Sequence, residues 1–282
     1  MELRDSPEWS RKKLHKLGKA LLAGDLPPDG CPTYEKVMLW HHELASEVAG
    51  IIANTRWSTF DSGLRNTQLR VSSRGKTLDT LVQKLGRSGI GLENIQDIAG
   101  VRVDGDFTLR QQTLFAEVLA DHFEVEEQGK RDLRNEPHSG YRAFHLWVRC
   151  PAGRVEIQIR TEGQSEWANT YERLGDRIGR GIRYDEPAPD SDAQATVEAM
   201  HRLSHSLRVL EELRDFSIDL GPEYVGSLLK EATKQGLMDE RSEDQRTVPD
   251  IQVVRSQLEQ FLREYVAEMQ ALRRSMDRLE EV

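Results

Sequence analysis

The stretch that most limits what this chain can become runs from Gly140 to Trp167, GYRAFHLWVRCPAGRVEIQIRTEGQSEW. Two apolar-rich segments, 143–149 and 154–160, flank a Pro-Ala-Gly turn, which is the spacing of a β-hairpin. Strand side chains alternate between faces, so Val155, Ile157 and Ile159 fall on one side and Glu156, Gln158 and Arg160 on the other. An acid, an amide and a guanidinium are poor core material. That face is either solvated or a working site. The Tyr-Arg-x-x-His run opening the first strand and the aromatic-bearing helix expected after the hairpin favour a site.

The 282 residues suffice for one large domain or two. At 37% hydrophobic, 31% charged and a formal net charge of -9, the chain reads as polar, soluble and globular. So acidic a balance does not describe a general nucleic-acid coat, and any phosphate site must be a local basic pocket. Cys31 and Cys150 alone make neither a zinc set nor a secreted disulfide scaffold. The first residues, MELRDSPEWSRKK, hold no apolar signal core, and no apolar run reaches membrane-spanning length. A cytoplasmic protein with no membrane partner is expected.

Helical spacing predicts a first helix over 10–23, with Leu14, Leu17, Leu21 and Leu22 in register and Gly24 as its stop. After a proline-rich loop, Thr33 is placed to cap a second helix reaching Asn54, with Val37, Trp40, Leu44, Val48, Ile51 and Ile52 inward. His41-His42-Glu43 lacks the second histidine of a His-Glu-x-x-His zinc motif, because Ser46 stands at that position, so these histidines read as structural. A basic segment follows: Arg65, Arg70, Arg74, Lys76, Lys84 and Arg87. Within it 77–85 reads as a helix with Leu78, Leu81 and Leu85 inward, Lys76 at its start, and Thr80 and Lys84 on one face. A solvated charged face would account for the same run. Residues 97–103 read as a buried strand opened by Asp97, 109–120 as a helix, 123–127 as a second strand, 129–139 as a polar loop and 163–178 as a helix. The Gly-, Pro- and acid-rich 179–192 marks a boundary. Helices are expected over 195–216 and 222–236, a charged linker over 238–249 and one long helix over 250–282. The last carries a near-heptad stripe from Ile251 through Val254, Leu258, Leu262, Tyr265, Met269, Leu272 and Met276 to Leu279, which suits either a coiled coil or a helix docked on its own chain. No internal repeat is evident.

Four segments, in order, resemble the synthetase domain of the RelA/SpoT homologue family. Arg74-x-Lys76-x-x-x-Thr80-Leu81-x-x-Lys84-Leu85 is similar to the family's R-x-K-x-x-x-S-x-x-x-K-L, with threonine for serine. Residues 97–102, DIAGVR, are similar to D-I-A-G-x-R, and 140–145, GYRAFH, to G-Y-R-S-x-H. Residues 156–161, EIQIRT, with Trp167-Ala168 beyond them, resemble E-I-Q-I-R-T…W-A.

The resemblance implies a small alarmone synthetase of α+β class, a mixed five-stranded-type sheet flanked by helices and akin to nucleotidyltransferases. It implies transfer of pyrophosphate from ATP to the ribose 3′-hydroxyl of GDP or GTP, giving (p)ppGpp. By carry-over Arg74 and Arg102 sandwich adenine, Lys76, Thr80 and Lys84 serve the ATP phosphates, and Asp97 and Glu156 hold Mg²⁺. Glu156 alternatively acts as base towards the 3′-hydroxyl. Tyr141, Arg142, His145, Gln158 and Arg160 fall on the acceptor side. Guanidiniums that stack and ammoniums that hold phosphate suit these tasks without the resemblance. Structural readings remain for each: an edge ion pair for Arg102, a bonded strand histidine for His145, a packing aromatic for Tyr141.

Three departures lie on the acceptor side. Asn169-Thr170-Tyr171-Glu172 replaces the usual x-x-E-H, Ser165 stands for a common asparagine, and the 135–139 loop lacks the usual lysine. Other acceptors are therefore kept open, namely a tRNA 3′ end or adenine nucleotides, as is an inactive nucleotide-binding module. No His-Asp dipeptide occurs, so no alarmone hydrolase activity is expected. The division expected is a helical segment at 1–59, a synthetase core at 60–185 and a helical region at 186–282, with homo-oligomerisation through the C-terminal helices an option.

Overall fold

The computed structural model describes residues 2–64, 68–219 and 251–278. The helices expected over 222–236, the linker over 238–249, Arg65 and Leu279 lie outside them. The described chain forms α1 (Arg11–Ala23), α2 (Tyr34–Asn54), β1 (Leu69–Gly75), α3 (Leu78–Ser88), β2 (Ala99–Gly105), α4 (Leu109–His122), β3 (Lys130–Asp132), β4 (Phe144–Cys150), β5 (Gly153–Thr161), α5 (Glu162–Ile178), α6 (Ser191–Asp219) and α7 (Ile251–Arg278). None of its helices is long and apolar enough to cross a membrane.

The strands make one mixed sheet of five, in the order β1-β2-β5-β4-β3. β4 and β5 pair antiparallel from Phe144↔Ile159 to Cys150↔Gly153, the hairpin that their alternation predicts. β1 and β2 pair antiparallel with Arg74 opposite Gly100 and Ser72 opposite Arg102. Val101 and Val103 are buried on one side of β2, while Gly100 and Arg102 on the other are only half-buried. Helix ends follow side-chain chemistry. The hydroxyls of Ser10, Thr33 and Thr77 accept from the backbone N–H three residues on, capping α1, α2 and α3. Gly24 and Gly89 close α1 and α3 in the left-handed region.

The chain divides into two compact, interleaved units: residues 1–105, 114–131 and 144–159, and residues 106–113, 132–143 and 160–282. In the first, α2 packs on β1 and β2. Trp9, Leu17, Val37, Leu81, Leu85, Leu92, Ile95 and Ile98 form an apolar cluster between α1, α2, α3 and the segment before β2. His41 is buried with its ring nitrogen 2.7 Å from the Val37 carbonyl, a satisfied helix histidine. In the second, α7 packs on α5 and α6. Its stripe residues Tyr265, Met269 and Met276 share a core with Trp167, Tyr171, Leu174 and Met200. Among the described residues, the stripe from Val254 to Met276 is thus buried or partly buried within the chain.

Several local expectations need correction. No strand forms at 123–127. The main chain there turns through Glu124 at φ 52, with Val125 N–H returning to the Ala120 carbonyl to close α4. The edge strand is instead β3, inside the segment expected to be loop. Leu78 is exposed rather than inward, because Thr77 is the cap and Leu78 opens the first turn. Lys76 precedes that cap and is not on the helix. Asp97 stands two residues before β2 rather than opening it. α6 begins at Ser191, earlier than the expected 195.

Candidate active site

Lys76 leaves β1, Lys84 lies on α3, and Asp97 lies on the turn before β2. The Lys84 ammonium donates to Asp97 Oδ1 at 2.8 Å, and Lys76 donates to Oδ2. Gln96, one residue earlier, donates from Nε2 to the Val155 and Val148 carbonyls at 3.1 and 3.3 Å, pinning this turn to the hairpin that carries Glu156. Burial pushes the Lys76 ammonium below its usual pKa against the opposing pull of Asp97; Lys84 adds repulsion, and Glu156 a further attraction. Lys84 in turn is one of the cations that favour ionised Glu156. The two acids, far apart in sequence, therefore act on shared lysines.

Glu156 is buried on the polar side of β5 and heavily solvated by protein donors. Gln158 Nε2 donates to Oε2 at 2.8 Å, and Trp147 Nε1 to Oε1 at 3.3 Å. His145 Nδ1 lies 3.4 Å from Oε1. Burial opposes ionisation, but His145, Gln158 and Lys84 outweigh it and hold the carboxyl well below the usual carboxylate range. The face called polar from its alternation is thus a buried, bonded one.

Arg74 and Arg102 are diagonal neighbours on one face of the β1–β2 ladder, Arg74 exposed and Arg102 half-buried. Gly100, opposite Arg74, leaves that face open: a Cβ there would come within 3.3 Å of the Arg74 carbonyl. The Thr80 hydroxyl donates to the Thr77 carbonyl at 2.9 Å, inside its own turn.

Nine of the twelve candidate residues thus belong to the first unit: Arg74, Lys76, Thr80, Lys84, Asp97, Arg102, His145, Glu156 and Gln158. Tyr141, Arg142 and Arg160 belong to the second. There Tyr141 is half-buried against the Trp167 core, and Arg160 is almost wholly buried. Arg142 is also buried; it donates from Nε to Ser204 Oγ at 3.1 Å and from Nη1 to the Arg134 carbonyl. Gly140 lies at φ 78 with the Trp167 ring so close that an added Cβ would meet it at 2.9 Å.

Among described residues no group of three or more His, Cys, Asp or Glu side chains is placed to hold a metal ion. Asp97 and Glu156 nevertheless fit Mg²⁺ of the kind held by one or two carboxylates together with substrate phosphates. They supply hard oxygen donors, and the lysines beside them suit the phosphates such an ion accompanies.

Trp147 escaped the sequence reading. It faces Glu156 across the hairpin, and Arg131 lies over its ring at 4.7 Å from the centroid. The signal was present, since Trp147 shares the strand parity of His145. Ser204 and Gln96, partners of Arg142 and of the Asp97 turn, gave no such signal.

The sequence model described as the region found in RelA / SpoT proteins matches residues 73–173. The uncharacterized protein Rv1366 of Mycobacterium tuberculosis is 50% identical over 200 residues, 71% of this chain and 70% of that one. GTP pyrophosphokinase YjbM of Bacillus subtilis is 35% identical over 128 residues, 40% of this chain and 58% of that one. Among solved structures, smu.1046c from Streptococcus mutans UA159 superposes with a TM-score of 0.50 at 24% identity, covering 67% of this chain and 96% of its own, a likeness of fold.

Proposed function

Because the chain belongs to the RelA/SpoT family, we propose that it is a pyrophosphokinase that moves the terminal pyrophosphate of ATP to the ribose 3′-hydroxyl of GDP or GTP, making (p)ppGpp. The observation that carries this reading is the pairing of Lys76 and Lys84 with Asp97, on a turn that Gln96 bonds to the strands beside Glu156. The relative named a GTP pyrophosphokinase lends support on the side of chemistry.

In this reading a 3′-oxygen attacks the β-phosphorus, the bond from that phosphorus to the α,β-bridging oxygen breaks, and AMP leaves. Charge collects on phosphate oxygens, so catalysis is chiefly positioning and cations. Lys76 and Lys84 hold the phosphates, and Arg74 and Arg102 take the adenine between their planes. Asp97 and Glu156 would hold Mg²⁺, which supplies neutralising charge when bound. A carboxyl held as low as that of Glu156 is a poor proton acceptor at neutral pH, which favours a role in metal holding and hydroxyl orientation over general-base work. His145 and Gln158 fix its oxygens. We assign Tyr141 to the acceptor base, and give Arg142 and Arg160 the task of shaping its loop and strand end. The working core is proposed as 60–185, the flanks being helical. No hydrolysis of the product is expected, for want of a His-Asp motif. A cytoplasmic setting follows from the substrates.

The test is to incubate the protein with Mg²⁺, γ-labelled ATP and, in turn, GDP, GTP, AMP or deacylated tRNA. Label on the guanosine nucleotide is the expected result. Label on tRNA or AMP moves the acceptor and keeps the donor chemistry. No transfer to any acceptor, with ATP still bound, reduces the protein to a nucleotide-binding module.

A further inference from the structure

The two residues that flank Tyr141 in the chain share one partner. Ser204, buried on α6, donates from its hydroxyl to the Gly140 carbonyl at 2.5 Å and accepts from Arg142 Nε at 3.1 Å. A hydroxyl has one proton to give; Gly140 takes it, and a lone pair faces the guanidinium. The same guanidinium donates from Nη1 to the Arg134 carbonyl, which ties the end of this loop to its beginning. One turn earlier on α6, His201 lies against Gly140, where an added Cβ would come within 3.2 Å of its Cδ2. His201 is bonded to the Ser139 main chain, and its Nε2 lies 3.0 Å from the Tyr171 hydroxyl. Tyr171 is itself a departure from the usual acceptor-side motif, and it too is met from α6. Asp185 completes the support, accepting from Ser139 Oγ at 2.6 Å and lying 2.8 Å from His138 Nδ1. Ser139 and Gly140 both stand in the left-handed region, at φ 50 and 78. Two such residues in succession are a shape that an unsupported loop seldom holds, and the bonds from α6 and Asp185 offset its cost. All of these groups belong to the second unit.

We propose that Ser204 is a positioning residue for the acceptor: by bonding both chain neighbours of Tyr141, it sets the ring on which the acceptor's base stacks. The inference rests on the assignment of Tyr141 to that base. A ring carried on a loop serves best when its main chain is fixed before the ligand arrives, because ordering it on binding subtracts from affinity. Only 2% exposed, Ser204 is sealed from substrate and acts through Tyr141. Donor binding is left alone, since Arg74, Lys76, Lys84 and Arg102 belong to the other unit.

Steady-state transfer from ATP to GDP, with KM and kcat measured for each substrate, tests it. Ser204→Ala should raise KM for GDP about 5- to 20-fold, because a buried guanidinium and a carbonyl lose their common partner. KM for ATP should stay within about twofold, and kcat should change less than KM for GDP. Leu207→Ala, one turn further along α6 and buried in the same core, should lower the melting temperature without that split. The double variant Tyr141→Ala, Ser204→Ala should use GDP no worse than Tyr141→Ala alone. Additive losses in the double variant, equal rises in both KM values, or an unchanged KM for GDP in Ser204→Ala would overturn the proposal. A wild type that transfers to no acceptor defeats the reaction and this inference with it. A wild type that transfers to GDP, matched by Ser204→Ala, defeats this inference alone.

Discussion

Glu211 sits wholly inside the helical unit, where Thr161 Oγ1 donates to one of its oxygens and Gln164 Nε2 to the other at 3.0 Å. Burial pushes its carboxyl up to about 7, with those two donors, Arg142 and Arg134 pulling the other way. A carboxyl raised in the folded state holds its proton more tightly there than when unfolded. Its contribution is therefore fully present below about pH 4.5 and is lost as the pH rises towards 7. The expected outcome is that wild type loses roughly 3 kcal/mol relative to Glu211→Gln between about pH 4.5 and pH 8. Thermal melts of both across that range check it, and parallel curves would refute it. At Glu156 the expectation concerns turnover. Glu156→Gln should cut transfer by at least about 100-fold while ATP affinity holds. Because the fold favours the ionised carboxylate, it should also melt lower than wild type at neutral pH, with the gap closing as the pH falls below about 4.5. Trp147→Phe keeps a ring under Arg131 and deletes one donor to Oε1. It should lower kcat by about 3- to 10-fold, with KM for ATP steady. A change in KM alone would make Trp147 a packing residue.

Elements differ in how openly the chain announces them. The β4–β5 hairpin was legible because its alternation, turn and register are all local. The starts of α1 to α3 were legible for the same reason, each having a hydroxyl cap. Residues 123–127 misled because an apolar-polar alternation looks like a strand, while the main chain was already committed to closing α4. Spacing put Thr80 and Lys84 on one face of α3, and the family motif, not spacing, suggested their task. The settings of Arg142 and Glu156 could be read from neither, since Ser204 and the Asp97 turn reach them from 62 and 59 residues away. The α7 stripe admitted two partners by pattern, and packing on α5 and α6 is what the fold shows. Met269→Ala should consequently cost about 2–4 kcal/mol, read as a lower denaturation midpoint. A changed sedimentation coefficient with unchanged stability would contradict this. Gly140→Ala should cost about 1–3 kcal/mol, because φ 78 and the Trp167 ring leave a methyl no room. It should also weaken acceptor binding through the adjacent Tyr141, measurable by titration of GDP.

For the molecule as a whole, the two units exchange chain repeatedly, since 106–113 and 132–143 belong with 160–282. A fragment ending at residue 159 strips those segments of the partners they bond, Arg110 N–H to Asp215 and Arg142 to Ser204 among them. It should lack a cooperative melt by circular dichroism.

The junction of β5 and α5 has a consequence of its own. Thr161 is at once the last strand residue and the helix cap, and its hydroxyl takes the Gln164 N–H while the Gln164 side chain returns to the Thr161 N–H. Not one spare residue lies at this corner. Cloning a tag, a fluorescent reporter or new termini between 161 and 162 would break both reciprocal bonds at once.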